Sequence, residues 1–248
     1  MIGDRRSDLL VASKVGYTGG ASRGNISAQF DITQSRLGLD VVDILYLHRF
    51  DPDTDLRETF HAFADLKAAG RIRYIGLSNF AAWQVVKAIG VAAEFGVRVD
   101  IFQPMYNLVK RQAEVEILPM CIDQGVVCAP YSPLGGGLLT GKYSGGQGGR
   151  LTEDARYGGR YGVDWMREAA RQLAALGAEI GEDPARLAVA WVMAHPAKPT
   201  PIVSGNSVKQ LAPSLAALSY DMTPVLYDRI SNLSQTPVPA TDRLEEQQ

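Results

Sequence analysis

Short apolar runs alternate with longer amphipathic stretches along most of this chain. LLVASKV at 9–15, ILYLH at 44–48, YIGLS at 74–78, IFQPMY at 101–106, VVCAPY at 126–131 and PIVS at 201–204 read as strands. Each is too short for a stable helix, and most are rich in β-branched or aromatic residues. Between them the period lengthens to that of a helix. Ile26, Phe30, Thr33 and Leu37 share one face, which predicts a helix over 25–37 with Asn25 as its N-cap. Further helices are predicted over 55–69 (closed by Gly70), over 81–95, from 111, over 165–180, over 184–194 and from 207.

Strict β–α alternation implies a parallel sheet with right-handed crossovers, in a barrel or a doubly wound sheet. No G-x-G-x-x-G follows a strand, which weighs against the doubly wound alternative. The strands end in polar side chains: Lys14, His48, Ser78 with Asn79, Gln103, Tyr131 with Ser132, and Ser204. Loop or cap duty explains any one of them, as when Asn79 caps the helix at 81. Six in series fit the mouth of a barrel, where carboxyl ends of strands converge on a site. The expectation is an α/β fold, a TIM-type (β/α) barrel with about six parallel strands in a single domain, 1–248. A Gly-rich excursion occupies 135–165, and a proline-rich, then charged tail, 236–248, reads as loose.

Composition narrows the function. With 248 residues, 46% of them hydrophobic, the chain can bury a large core. A net charge of −2 leaves no basic excess for a nucleic acid, and no apolar run is long enough to span a bilayer. The start, MIGDRRSD, has no signal-type apolar stretch. Cys121 and Cys128 have neither CxxC nor metal spacing, so they read as buried free thiols in a reducing cytoplasm, with no metal site expected. Gly136 to Lys142 fits G-x-x-x-x-G-K, but Tyr143 stands where a P-loop needs Ser or Thr for Mg²⁺.

Six motifs in order, LLVASKVG, DILYLHRFD, GRIRYIGLSNF, FQPMYNLVKR, YSPLGGGLLTGKY and LAVAWVMAHP, resemble the aldo-keto reductase superfamily from about Leu9 to Leu218. The branch is similar to bacterial aryl-alcohol dehydrogenases and potassium-channel β subunits. The resemblance implies NADP(H)-dependent reduction of an aldehyde or ketone by a Tyr, Lys, His and Asp tetrad. By motif, Lys14 and His48 match the catalytic Lys and His. Ser78, Asn79 and Gln103 match the groups that hold the nicotinamide amide, and Tyr131 the aromatic stacked on its ring. Ser132, Leu134 and Gly135 fall where backbone meets the pyrophosphate.

Two departures bear on activity. The family's Asp and Tyr lie in a pattern like D-T-A-x-x-Y after the second strand, and no such motif precedes Lys14. The chain therefore reads as lacking the first two βα units and the proton donor. Loss of general acid catalysis costs about 10²–10⁴-fold in rate. Tyr17 is the nearest substitute, whereas Tyr46 lies deeper in its strand. At the 2′-phosphate site, Ser204, Gly205, Asn206 and Gln210 align with the family grip, but Asn206 replaces a bidentate Arg and Lys209 is a point charge.

Two functions follow from this. One is a reductase with an incomplete tetrad. The other is a repurposed scaffold without hydride transfer, serving as a lyase- or isomerase-type enzyme or as a binding subunit. The expected partner is a small carbonyl compound, with no nucleic acid and no membrane. An incomplete barrel leaves strand edges open, so a second copy or another chain is expected to cover them. Tyr143, Tyr157, Tyr161, Trp165, Arg49, Phe50 and Trp83 are expected to line the substrate pocket.

Overall fold

Five of the six apolar runs form strands: β1 (Ala12–Val15), β2 (Val42–Leu47), β3 (Ile72–Ser78), β4 (Ile101–Gln103) and β5 (Val127–Cys128). They lie in one sheet of order β1-β2-β3-β4-β5, with parallel register from β1 to β4. The sixth run, 201–204, is reduced to a parallel bridge between Tyr131 and Ile202. Its first residue, Pro201, has no N–H to give a ladder, so the pairing there rests on Ile202 N–H donating to Pro130 O at 2.8 Å. The computed structural model describes residues 3–145 and 148–241, which group into two compact units. The first is Met1–Pro104 with Met120–Val127, and the second is Met105–Pro119 with Cys128–Gln248.

The helices are α1 (Arg23–Leu37), α2 (Leu56–Ala68), α3 (Ala82–Glu94), α4 (Ile117–Asp123), α5 (Arg150–Glu153), α6 (Ala155–Tyr161), α7 (Asp164–Ile180), α8 (Pro184–Ala194), α9 (Val208–Ala216) and α10 (Pro224–Ser231). Ser22, not Asn25, caps α1. The Asn25 amide instead donates to Thr18 O at 2.9 Å and Gly20 O at 2.6 Å, which ties down the turn that enters the helix. The helix expected from 111 breaks into a 3₁₀ turn, Gln112–Glu114, followed by α4. The Gly-rich excursion is not an open loop: 3₁₀ turns at Gly135–Thr140 and Lys142–Gly145, then α5 and α6, occupy most of it. Residues 146–147 of that excursion and 242–248 of the tail lie outside the described residues.

Strand register sorts the first unit into two sheet faces. Leu45 pairs with Ile75 and Leu47 with Leu77, and these four are fully buried together with Ile26, Phe30, Phe60 and Phe63 of α1 and α2. Each such side chain contributes about 1.5–3 kcal/mol through burial. The alternate residues, Lys14, Tyr46, Gly76 and Ser78, occupy the opposite face, with Gln103 in register with Ser78. In the second unit Tyr106, Leu139, Tyr161, Leu173, Leu187 and Trp191 form the buried core.

Candidate active site

The face opposite the helices carries the chemistry of the first unit. Lys14 is the third residue of β1 and pairs with Tyr46, placing its ammonium 5.4 Å from the Tyr46 ring centroid. Partial burial holds the Lys14 pKa below its ordinary range, since desolvation penalises the charged form. Tyr46 is hydrogen-bonded to Gln103, and burial pushes its phenol up. The Gln103 side chain is thus almost fully enclosed and still has a polar partner.

His48 follows β2, anchored by its N–H donating to Val15 O at 2.9 Å. Burial depresses its pKa first, and the Lys14 and Arg49 charges lower it further. An imidazole in that setting stays neutral near pH 7. Its ring lies 4.8 Å from that of Tyr17 at a tilt of 44°, and the Arg49 guanidinium lies 5.0 Å from the same Tyr17 ring.

Ser78 ends β3 and donates from Oγ to Gln103 O at 2.9 Å. Asn79 does not cap α3. It adopts the left-handed conformation, φ 58°, and its amide donates to His48 O and Ser78 Oγ, both at 3.0 Å. Of the described non-glycine residues, three have positive φ, and two of them, Asn79 and Ser132, stand at positions expected in a cofactor site. Such backbone strain collects where function demands it. Lys14, Tyr46, Gln103, Ser78, Asn79 and His48 are therefore linked, side chain to side chain or through backbone, into one polar network.

Register, not composition, produces this grouping. Tyr46 crosses the sheet because its partner in β3 is Gly76: a Cβ there would stand 2.5 Å from Tyr46 Cε1 and closer still to Cδ1. From the sequence alone Tyr46 lies deeper in its strand, and nothing marks Gly76 as its partner. An isolated glycine inside a strand was the available signal for a close approach.

In the second unit, Ser132 has φ 60°, and its carbonyl accepts from Asn107 Nδ2 at 2.8 Å and from Gly135 N at 2.9 Å. The Leu134 carbonyl accepts from Gly137 N and Leu139 N, so backbone amides of this turn are engaged internally. Burial pushes the half-buried Tyr131 phenol up. Gly135 is buried. Ser204, Gly205, Asn206 and Gln210 are exposed, and Gln210 Oε1 accepts from Asn206 N at 2.7 Å. That bond folds the side chain back onto its own loop, beside the Ser207 cap of α9.

The residues expected to line a pocket divide. Tyr161 is 0% exposed and hydrogen-bonds Asn107, so it belongs to the core of its unit, not to a pocket wall. Tyr143 accepts from Leu151 N at 3.2 Å, and the Tyr157 ring lies 5.0 Å from Arg150 and 5.4 Å from Arg160. Phe50 packs edge-on against Phe80 and Trp83, the latter largely exposed. Cys121 and Cys128 are buried, and no group of three or more potential metal ligands occurs among the described residues. No helix among the described residues is long and apolar enough to cross a membrane.

Residues 2–235 match the aldo/keto reductase family profile. The probable voltage-gated potassium channel subunit beta of Arabidopsis thaliana is 30% identical over 253 residues, covering 95% of this chain and 76% of its own length. L-glyceraldehyde 3-phosphate reductase of Escherichia coli is 29% identical over 228 residues, 86% of this chain and 66% of that protein. The uncharacterized oxidoreductase YrpG of Bacillus subtilis is 30% identical over 250 residues, 95% of this chain and 74% of that protein. The chain thus spans between 66% and 76% of the length of these three relatives.

Proposed function

We propose that this chain, which belongs to the aldo/keto reductase family, reduces an aldehyde or ketone with NADP(H), Lys14 and His48 acting on the carbonyl oxygen. The observation that carries the reading is the linked network on one sheet face, from Lys14 through Tyr46 and Gln103 to Ser78 and Asn79. Bound nicotinamide supplies the hydride to the carbonyl carbon. Charge then builds on the carbonyl oxygen, and the Lys14 ammonium with the neutral His48 N–H stabilises it as preorganised donors. The resulting alkoxide takes its proton from Lys14, which passes from ammonium to amine; desolvation, by lowering the Lys14 pKa, favours that transfer.

The donor chemistry of the first unit fits a nicotinamide amide. Ser78 Oγ, the Asn79 amide and the Gln103 amide offer both donors and acceptors; Asn79 donates to Ser78 Oγ, Ser78 Oγ donates to the Gln103 backbone carbonyl, and the Gln103 side chain is held by Tyr46. In the second unit Tyr131 offers an aromatic face, and Ser132, Leu134 and Gly135 offer a tight backbone turn. Ser204, Gly205, Asn206 and Gln210 are the proposed phosphate contacts. There Asn206 and Lys209 replace a bidentate arginine, so NADPH and NADH are expected to bind with similar affinity.

Titration with NADPH and NADH, followed by quenching of tryptophan fluorescence, tests this reading. Saturable binding in the micromolar range is expected. No binding at millimolar cofactor would exclude the reductase and favour a scaffold used without hydride transfer.

A further inference from the structure

Arg49, next to His48 in sequence, is a cation that the proposed reaction does not use. Among the described residues no acid lies within 4.0 Å of it, in contrast to most arginines of this chain. Asp51, whose charge interacts with Arg49, is already engaged: its carboxylate accepts from Ala21 N at 2.8 Å, Thr54 Oγ1 at 2.7 Å and Asp53 N at 3.1 Å. Arg49 instead lies against Tyr17, 5.0 Å from the ring centroid, while the other contact of that ring is His48 at 4.8 Å. A guanidinium resting on a ring keeps its fork of N–H donors, which can receive a planar anion through two parallel hydrogen bonds. Tyr17 itself is 56% exposed, so the group is open to solvent at the end of β1 and β2. Arg49 is itself exposed, and the ring it lies on also touches the imidazole of His48.

We propose that Arg49, held by Tyr17, binds an anionic oxygen group, carboxylate or phosphate, of the substrate whose carbonyl meets His48. The inference rests on the reductase reading for the role of His48 but concerns substrate class, which that reading leaves open. Lys14, 5.4 Å from the Tyr46 centroid, adds a second positive charge on the same sheet face and reinforces the preference.

The test is an equilibrium binding measurement that needs no turnover. 4-Carboxybenzaldehyde and 4-formylphenyl phosphate are titrated against methyl 4-formylbenzoate, with ring NMR signals of the histidines as the readout and His48 identified by loss of its signals in His48→Gln. The anionic aldehydes are expected to bind about tenfold more tightly than the ester and to shift the His48 signals. The ratio should collapse toward one in Arg49→Gln and recover in part in Arg49→Lys, which keeps charge without the fork. Equal affinities, or a preference that survives Arg49→Gln, would overturn the proposal. Anion preference through Arg49 in a chain that transfers no hydride would leave the subsite standing and remove the reductase reading.

Discussion

Tyr46 lies directly across Gly76, its register partner in the neighbouring strand, and that crossing brings its hydroxyl to Gln103 and its ring to Lys14. Glycine at 76 is therefore a requirement of the site and not of the chain's path, since the strand itself would accept any residue. Gly76→Ala is expected to lower stability by about 1–3 kcal/mol, the usual penalty for overpacking. Urea unfolding of the variant checks it. Tyr46→Leu in the same background should recover most of the loss, and equal destabilisation in both backgrounds would refute the contact as its cause.

Histidine titration follows from the charges around His48. Its pKa lies below the ordinary 6.5, with burial as the larger cause and the Lys14 and Arg49 charges added to it. Removing one cation in Lys14→Met should raise the pKa while leaving it below 6.5, because burial remains. Because the folded value is depressed, the unfolded chain takes up the proton first. The contribution of this group to stability is complete above the unfolded value and falls as pH drops from 6.5 toward the folded pKa. NMR titration of wild type and variant measures both values, and an unchanged His48 pKa in Lys14→Met would contradict the assignment of charges.

Asp43 anchors the amino-terminal side of the first unit. It is 0% exposed, accepts from Val11 N at 2.7 Å and pairs with Arg6 at 2.7 Å. Arg73 Nη1 stands 2.9 Å from its second oxygen but off hydrogen-bond alignment, so the compensation there is electrostatic. Asp43→Asn keeps the shape and removes the charge. It is expected to cost about 1.5–3 kcal/mol, the worth of a hydrogen bond to a charged group. A melting temperature unchanged within error would show that the buried charge is not needed.

Glu114 plays the corresponding part in the second unit. Its Oε1 accepts from Tyr106 OH at 2.7 Å and from Arg111 Nε at 2.9 Å, and its Oε2 accepts from Arg111 Nη2 at 3.0 Å. Arg111 also donates to Ser231 O at 3.0 Å, while Trp191 donates to Ser231 Oγ at 2.9 Å and stacks on Tyr227. This cluster fastens α10 to α8. Glu114→Gln should release the Arg111 clamp and change the near-ultraviolet circular dichroism of Trp191, with a loss of about 1.5–3 kcal/mol. A spectrum identical to wild type would deny that Glu114 organises the cluster.

The strand and helix rhythm was legible because period alone distinguishes 44–48 from 55–69. Caps were less so: Ser22 and Asn25 are both good candidates, and only the path of the 18–20 turn decides between them. Tyr161 was misplaced because an aromatic in a Gly-rich segment looks like a loop residue until Asn107, 54 positions away, reaches its hydroxyl. At the candidate site, strand-end positions named Lys14, His48, Ser78, Asn79 and Gln103. The links among them depend on register and a left-handed Asn79, which no local pattern encodes. The Tyr17 contacts with His48 and Arg49 were likewise invisible, since they join two loops over 30 residues apart in sequence.

Transfer of label from 4-deuterated NADPH tests the central claim most directly. The protein is incubated with the deuterated cofactor, prepared in each C4 stereochemistry, and a panel of aromatic and aliphatic aldehydes, and the alcohols are analysed by mass spectrometry. The account predicts deuterium on the former carbonyl carbon from one cofactor stereoisomer, with the rate reduced at least tenfold in Lys14→Met, as loss of a preorganised donor to the developing charge requires. Saturable cofactor binding with no label in any alcohol would contradict it and identify the chain as a family scaffold that no longer carries out reduction.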